Sequence, residues 1–353
     1  MTRLPALFVM AALTMAAAPP PLATIWADTA AAARKADFHG HLIVADATAA
    51  HGEDVGNSTG PALWRWVSVS KQIVATLVMQ EVDRGKVTLD TPIRTYAPNL
   101  QVANADIVTL RQLLQHTSGL PNVEDGPMNK AGTTLALFDR STPAPGPGIN
   151  AICRGPAKAA PGVRFEYNDC DTEVVGAVLE AVTGRPLETL LSQQLFAPLG
   201  MTGARLLKAG DDAGRPGLLP DGTSDDYIDV GRFGAAGAVA GPPAALARFD
   251  QALLAGRLMT PASRAEMWKG DRQYGFAALG QWVYTVPLAG CAEPVELVER
   301  RGGIGGVEIR NVIAPAKGRI VIAFADRPAA FGEPWQGKGL TYDLLSAAFC
   351  KAN

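Results

Sequence analysis

Apolar side chains at helical spacing mark one segment in the first third of the chain. Across residues 68–83 they recur at intervals of three and four positions, which predicts an amphipathic helix with one buried face. Ser68 stands where an N-cap is expected, and Gly85 supplies the stop. The recurring apolar positions are Ile73, Val74, Leu77, Val78 and Val82.

Four later segments carry the same helical pattern. Residues 110–114 form a short unit that ends at the following Gly119 and Pro121, and residues 174–182 form a second. Pro186 opens a third, since proline is tolerated in the first turn of a helix. Residues 340–350 close the chain with a fourth.

Runs of β-branched residues between turn signals predict strands. One strand is expected at residues 41–45, and four consecutive antiparallel strands near the end of the chain. The later strands are expected at residues 281–286, 295–298, 307–312 and 319–325. Polar or glycine- and proline-rich stretches at 51–61 and 141–148 are expected to be loops.

The order of these elements predicts the fold class. A strand, a helical middle, several strands and a final helix indicate an α+β protein, with an antiparallel sheet flanked by helices. An all-helical subdomain, roughly residues 92–245, is expected to be inserted into this α/β body.

Composition and charge narrow the kind of partner. The chain has 353 residues, of which 48 % are apolar, enough for a large core. The formal net charge is −2 without long runs of like charge, so nucleic acid and anionic membranes are not predicted partners. A small-molecule or peptide substrate is expected instead, and no feature specifies an oligomeric state.

The first residues have the pattern of a secretory signal peptide. Arg3 precedes an apolar stretch at residues 4–18, which prolines then interrupt. We expect residues 1–27 to be removed, with cleavage after Ala18 or after Ala27, and residues 28–353 to form one exported domain, periplasmic or secreted. No stable membrane insertion is expected after removal, and a permanent anchor is the alternative.

Four cysteines fit an oxidising compartment. Because the number is even, two disulfides are expected. Of the possible connectivities we favour Cys153 with Cys170 and Cys291 with Cys350, since each partner is then nearer in sequence. Four buried free thiols are the alternative.

Ser68 and Lys71 form the first candidate catalytic pair. Their spacing places both on one face of the predicted helix. A hydroxyl becomes a good nucleophile when a base takes its proton, and a lysine acts as that base only in its neutral form. The helix N-terminus adds N–H groups that suit a developing oxyanion. Alone, the pattern is common, and a capping serine beside a solvated lysine is its ordinary explanation.

Two further segments carry candidate chemistry. Tyr167 lies between a Pro-Gly turn and a helix, where a phenol can relay a proton. Residues 300–306, Arg-Arg-Gly-Gly-Ile-Gly-Gly, are expected to join two strands as a glycine-rich turn. Glycines there allow a substrate to approach backbone N–H groups closely.

Several segments in order resemble the serine β-lactamase and penicillin-binding protein superfamily, nearest its branch of class C β-lactamases, D-alanyl-D-alanine carboxypeptidases and related esterases. The most distinctive is residues 113–121, Leu-Leu-Gln-His-Thr-Ser-Gly-Leu-Pro. The others are residues 64–71 with the following helix, residues 83–92 and the Pro-Leu-Gly-Met of 198–201. Together they span most of the chain after the leader.

The resemblance implies roles for individual residues. Ser68 would attack a carbonyl to form an acyl-enzyme, while Lys71 and Tyr167 shuttle protons. The backbone N–H groups of Ser68 and Gly303 would form the oxyanion hole. Asp169, Arg300 and Gly302 would contact substrate, and the chemistry needs no metal or cofactor.

Three residues depart from the family pattern. Asp169 stands where relatives usually have asparagine, Arg300 where they have lysine or histidine, and Val67 where they have glycine. A carboxylate close to Lys71 favours the charged form of the lysine. We therefore hypothesise that Lys71 is a poorer base here and that Tyr167 is the main proton acceptor.

Rival interpretations use other residues. The segment around Ser58 fits the Gly-x-Ser-x-Gly elbow of α/β-hydrolases, but a polar stretch precedes it and Pro61 follows. His116 is interpreted as a structural hydrogen-bonding residue. His39 and His41 alternate as metal ligands would on a strand, yet lack a third ligand at suitable spacing.

A different class of function is also open. A member of the same fold that has lost catalysis would bind peptide or glycan, or regulate a cell-wall enzyme, because fold membership does not guarantee chemistry.

Overall fold

A computed structural model describes residues 21–58, 63–146 and 148–350 of the chain. The apolar part of the predicted leader, residues 4–18, lies outside the described residues, as does part of the segment that follows Ser58.

The strands of the described residues form two sheets. The strands are β1 Gly40–Ala45, β2 Ala50–Val55, β3 Trp64–Arg65, β4 Arg205–Leu206, β5 Val239–Gly241, β6 Ala277–Ala278, β7 Gln281–Val286, β8 Val295–Ile304, β9 Val307–Ala314 and β10 Arg319–Ala325. The larger sheet is antiparallel and has the order β2-β1-β10-β9-β8-β7-β6, and the smaller has the order β3-β5-β4. The predicted α+β class with an antiparallel sheet is confirmed.

Helices cover both faces of the larger sheet. They are α1 Leu22–Lys35, α2 Ser70–Asp83, α3 Leu110–Leu114, α4 Asp169–Thr183, α5 Leu187–Leu191, α6 Gly234–Gly237, α7 Pro243–Leu254, α8 Pro261–Met267 and α9 Leu340–Cys350. All helical segments expected from periodicity are present, and short 3-10 segments occur between them.

The central strands are buried on both faces, which explains their nearly continuous apolar sequences. In β10, Ile320, Ile322 and Phe324 face a core shared with α2, α4 and α7. The alternate residues Val321 and Ala323 face a second core shared with α1 and α9. The period of two along a strand thus assigns successive residues to different cores.

The chain between β2 and β6 forms the part that lies over one face of the sheet. It holds α2 to α8, but it also contains the three-stranded sheet, which the sequence did not predict. These strands have two or three residues each, too short for an alternating pattern to be recognised. The expected "all-helical" description is corrected to that extent.

The loop expected at residues 51–61 is wrong in its first half. Residues Ala50–Val55 form β2, which pairs with β1 at the edge of the large sheet. Most of its side chains are exposed, so a polar sequence satisfies the strand and no apolar alternation develops.

The first described helix bears on the predicted cleavage site. Ala27 lies within α1, and the preceding Ile25 and Trp26 are buried in the core shared with α9.

None of the helices in the described ranges combines the length and apolar character needed to span a bilayer.

Both expected disulfides are present. Cys153 is bonded to Cys170, and Cys291 is bonded to Cys350. The first joins the loop before residue 155 to the start of α4, and the second anchors the end of α9 to the loop after β7.

Candidate active site

Ser68 lies just before α2 rather than capping it. Val67–Val69 form a 3-10 turn, the α-helix begins at Ser70, and the Ser68 hydroxyl makes no capping bond. The predicted N-cap is therefore wrong, because the hydroxyl faces other side chains. Val67 has φ +45°, a left-handed conformation that strains a β-branched residue. A glycine would adopt this conformation without that strain.

Lys71 is enclosed by oxygen atoms. Its side chain is 1 % exposed, and its Nζ donates to the Ser68 Oγ at 3.1 Å and to the Ala236 carbonyl at 2.8 Å. A third oxygen, the Asp169 Oδ1, forms an ion pair with Nζ at 2.6 Å. Two of these contacts are hydrogen bonds, and the third is a close ion pair. The predicted proximity of Asp169 and Lys71 is thus found in the structure.

The start of α4 positions Tyr167 and Asp169. The Asn168 side chain accepts from the Cys170 N–H at 2.8 Å as N-cap, and it donates to the carbonyls of Leu120 and Pro121. Asn168 has an extended backbone, and Tyr167, the residue before it, donates from its Oη to the Ser68 Oγ at 2.8 Å. Ser68, Lys71 and Tyr167, far apart in sequence, converge on one point.

Arg300 approaches the same point from β8. The expected turn at residues 300–306 is corrected, because residues 300–304 continue the strand and only Gly305 and Gly306 form the turn. The glycine-rich sequence does not predict that the strand extends to residue 304, since glycine is rare in strands. The Arg300 Nε donates to the Ser68 carbonyl and its Nη2 to the Tyr167 Oη, both at 2.7 Å.

The charge of Arg300 is unbalanced by any carboxylate in direct contact among the described residues. The residue is 1 % exposed, and its guanidinium lies against the rings of Tyr167 and Trp282, at 5.3 and 5.0 Å from their centres. A buried cation without an anion is costly. The Tyr167 oxygen is the group in contact with it that can become anionic.

Gly302 brings β8 close to the nucleophile. A Cβ at this position would lie 2.4 Å from the Trp66 carbonyl oxygen and 3.3 Å from the Ser68 backbone nitrogen. A side chain therefore does not fit, and only glycine permits this approach. Gly303 follows at the wall of the cleft, where its N–H as an oxyanion donor stays a prediction.

These residues surround an open cleft of about 510 Å³. Ser68 and Tyr167 lie in its lining together with Trp282 and Arg300. The strand residues Gly302, Gly303, Ile304 and Glu308 form another wall. A small carbonyl substrate has room to reach the Ser68 hydroxyl.

A buried polar cluster supports Tyr167 from behind. The His116 ring centre lies 4.7 Å from that of Tyr167, and its Nδ1 is 3.2 Å from Asp171, which also accepts from the Ser118 hydroxyl. Burial, assisted by Arg300 and Lys71, lowers the pKa of His116 well below its usual value, and burial raises that of Asp171. His116 is thus a neutral, hydrogen-bonded structural residue, as interpreted. Asp171 was missed, because sequence does not reveal a buried carboxyl group.

Ser58, His39 and His41, the residues of the rival interpretations, lie outside the lining of the cleft. The buried Ser58 hydroxyl donates to Asp326, and part of its predicted elbow falls outside the described residues. His39 accepts from the Asn57 N–H at 3.0 Å, whereas His41 pairs with Asp54 at 2.7 Å. The two histidines therefore serve separate contacts.

Comparison with known proteins places this geometry in a family. The family model "Beta-lactamase" matches residues 36–330, which is most of the chain. The chain belongs to the beta-lactamase family. The match includes every member of the candidate site, from Ser68 to Gly303.

Relatives within the family are diverse. The chain is 28 % identical over 264 residues to the putative penicillin-binding protein PbpX of Bacillus subtilis, covering 73 % of this chain and 61 % of PbpX. It is 34 % identical over 151 residues to the esterase EstB of Burkholderia gladioli, covering 39 % of this chain and 37 % of EstB. The alignments thus span less than two thirds of either relative.

A solved structure shows the same fold. The D-stereospecific amidohydrolase from Streptomyces superposes with a TM-score of 0.73 at 21 % identity, covering 94 % of this chain and 99 % of the other. At this identity the likeness concerns the fold alone.

Proposed function

We propose that this protein is a serine hydrolase that cleaves an ester or amide carbonyl, β-lactams included, through an acyl-enzyme on Ser68. One observation carries the proposal. The Ser68 Oγ lies at 2.8 Å from the Tyr167 Oη and 3.1 Å from the Lys71 Nζ, in the lining of an open cleft. A nucleophile in hydrogen-bond contact with a group that can accept its proton, and with a cation beside it, is an arrangement suited to acyl transfer.

Tyr167 is the general base in this proposal. Lys71 in its ammonium form has no lone pair to accept a proton, and its contact with Asp169 at 2.6 Å favours that form. Arg300 donates to the Tyr167 Oη at 2.7 Å and thereby stabilises a phenolate. The site then contains two balanced pairs, Lys71 with Asp169 and Arg300 with the Tyr167 phenolate.

The reaction follows from these positions. Tyr167 accepts the Ser68 proton as Oγ attacks the carbonyl, and the N–H groups of Ser68 and Gly303 bind the oxyanion. When the tetrahedral intermediate collapses, Tyr167 gives the proton to the leaving oxygen or nitrogen. A water molecule then attacks the acyl group, again with Tyr167 as base, and Ser68 recovers its proton.

Active-site labelling tests the proposal. A fluorophosphonate probe is expected to label the wild-type protein and to leave Ser68→Ala unlabelled. The matched control is Ser58→Ala, which removes the rival nucleophile and is expected to label like wild type. Equal labelling of wild type and Ser68→Ala, or none of either, contradicts the proposal.

A substrate panel resolves the type of carbonyl. The chain's relatives include an esterase, a penicillin-binding protein and, by fold, an amidohydrolase. Parallel assays would therefore use a short-chain aryl ester, a D-amino acid amide, a D-alanyl-D-alanine peptide and a chromogenic cephalosporin. Turnover in at least one assay, abolished by Ser68→Ala, is the expected result.

A catalytically silent binding protein is the second candidate. The observation that favours it is the ion pair between Lys71 and Asp169, which engages the lysine in a contact other than proton transfer with Ser68. The labelling experiment separates the two, because a silent member does not react covalently at Ser68.

Export is a further part of the proposed function. The two disulfides and the signal-like start of the chain both support it. Because α1 begins at Leu22 and buries Ile25 and Trp26, cleavage is expected before this helix rather than after Ala27. N-terminal sequencing of the exported protein tests this, and a start at Asp28 would contradict it.

A further inference from the structure

A second groove adjoins the catalytic cleft. It has a volume of about 460 Å³ and shares Trp282 and Arg301 with the cleft. The other side chains that shape it include Phe276, Tyr284 and Trp335. A substrate held at Ser68 can therefore extend past Trp282 without leaving the protein surface.

Two large apolar side chains are exposed in this groove. Phe276 is 39 % and Trp335 is 57 % exposed, and they are two of the five large apolar residues that are exposed in the described parts of the chain. Single exposed apolar residues are ordinary, but two that line the same groove beside the cleft are typical of a ligand-binding surface.

Trp335 is fixed although it is exposed. Its ring packs edge-on against Tyr284 with centres 5.6 Å apart, and the Arg301 guanidinium lies 5.6 Å from it. Arg301 is itself held by ion pairs with Glu299 at 2.8 Å and Glu333 at 2.5 Å. A rigid aromatic surface loses little conformational freedom when it binds a ligand.

Phe276 is held in place by its backbone. Its φ is +66°, a left-handed conformation that is rare for a bulky residue. Its N–H donates to the Asp271 carbonyl at 2.7 Å, and its carbonyl accepts from the Val283 N–H at 3.1 Å. Strain of this kind, maintained while the ring stays exposed, is characteristic of binding sites.

We propose that this groove binds an aromatic group on the leaving side of the substrate. Tyr167 delivers its proton to the leaving atom, and Trp282 is stacked beside Tyr167, with ring centres 6.1 Å apart. A leaving group next to Tyr167 thus lies against Trp282, and the groove lined by Phe276 and Trp335 begins on the other side of Trp282. The inference rests on the proposed function, since it takes the position of the leaving group from it.

Two acetate esters test the assignment. Acetates of ethanol and of 2-phenylethanol share the acyl group and have leaving alcohols of similar acidity, so they differ mainly in the ring. Wild type is expected to favour the phenylethyl ester in kcat/KM by about tenfold, because the ring is removed from water. Trp335→Ala is expected to reduce this ratio to near one.

Ile107→Ala is the matched control. Ile107 is also 57 % exposed but lies outside both cavities, so the rates and their ratio are expected to stay as in wild type. Ethyl 3-phenylpropanoate and ethyl acetate form the opposite pair, with the ring on the acyl side. If Trp335→Ala changes the preference in that pair instead, or leaves both ratios unchanged, the assignment is overturned.

A binding measurement separates this inference from the proposed function. In Ser68→Ala protein, the indole N–H NMR signals of Trp282 and Trp335 are expected to shift saturably with 2-phenylethanol but not with ethanol. If no ester is hydrolysed but these shifts occur, the proposed function fails while the groove is supported. Absence of the shifts overturns the groove whatever the enzyme activity.

Discussion

Two consecutive arginines of β8 have opposite environments. Arg301 lies on the opposite face of the strand, at the border between the cleft and the adjoining groove, where Glu299 and Glu333 neutralise it. Arg300 points to the catalytic cleft, where its hydrogen bonds go to the Ser68 carbonyl and the Tyr167 hydroxyl. The neutralised arginine stabilises the sheet, and the arginine without a carboxylate partner is positioned to act on charge that develops during catalysis.

The Arg301 side of the sheet is a buried ionic network. Glu299 is fully buried and contacts Arg301, Arg310 and the Tyr284 hydroxyl. Burial alone would raise the pKa of Glu299, but the two arginines outweigh it and hold the pKa below its usual value. Such a network is costly to break because the remaining charges stay buried.

Removing the shared carboxylate of this network is expected to have the largest effect. Glu299→Gln removes the fully buried carboxylate that pairs with both Arg301 and Arg310 and leaves them only the partly exposed Glu333 and Glu308, so the free energy of unfolding should fall by about 3–5 kcal/mol. Urea unfolding measures this. The pKa of Glu299 in the folded protein lies below the usual 4.5, so its contribution to stability is present above pH 4.5. The free energy of unfolding of wild type should fall as the pH drops from 4.5 through the lower folded pKa, and the variant should not show this loss. Equal stability of the two proteins contradicts a structural role.

Changing the other arginine is expected to affect catalysis more than stability. Arg300→Lys keeps a positive charge but loses the fork that reaches both Ser68 and Tyr167. The kcat/KM value should fall roughly 100-fold, as when a preorganised hydrogen-bond donor is removed. Arg94→Lys, outside the cleft lining, is the control and should retain activity. An Arg300→Lys protein that is as active as wild type but much less stable would show that Arg300 serves stability rather than catalysis.

Asp169→Asn is expected to have a smaller effect on stability than Glu299→Gln. Removing the carboxylate 2.6 Å from the Lys71 Nζ leaves a buried cation without its anion, so the free energy of unfolding should fall by about 1–3 kcal/mol. Urea unfolding measures this change. Asp37→Asn changes a carboxylate whose side chain is 95 % exposed and should leave the free energy of unfolding as in wild type. An Asp169→Asn protein as stable as wild type would contradict a stabilising ion pair between Lys71 and Asp169.

The contrast between the arginines also shows what sequence can predict. The sequences of β7 and β10 predict strands because buried strands are rich in β-branched residues. The sequence does not predict that β8 continues through Arg300, because the glycines that follow have no side chains and so form no pattern typical of a strand. Without the strand, the alternation that sends Arg300 and Arg301 to opposite faces was also hidden.

At the site, individual chemistry was more predictable than its supporting structure. The proximity of Asp169 and Lys71 was expected from the family resemblance, and the charges of the two residues then determine their interaction. The position of Ser68 in a 3-10 turn and the strain at Val67 depend on the packing of β8 against that turn, which no local sequence pattern predicts. The cluster of His116 and Asp171 likewise depends on burial that only the tertiary structure reveals.

The protonation state of Lys71 decides between Tyr167 and Lys71 as the base that activates Ser68. Lysine labelled with 13C and 15N, assigned with a Lys71→Arg variant, reports whether Nζ is an ammonium or a neutral amine. We expect an ammonium in the wild-type protein near neutral pH, in contact with Asp169. A neutral Lys71 under these conditions would contradict it and would make the lysine the base that activates Ser68.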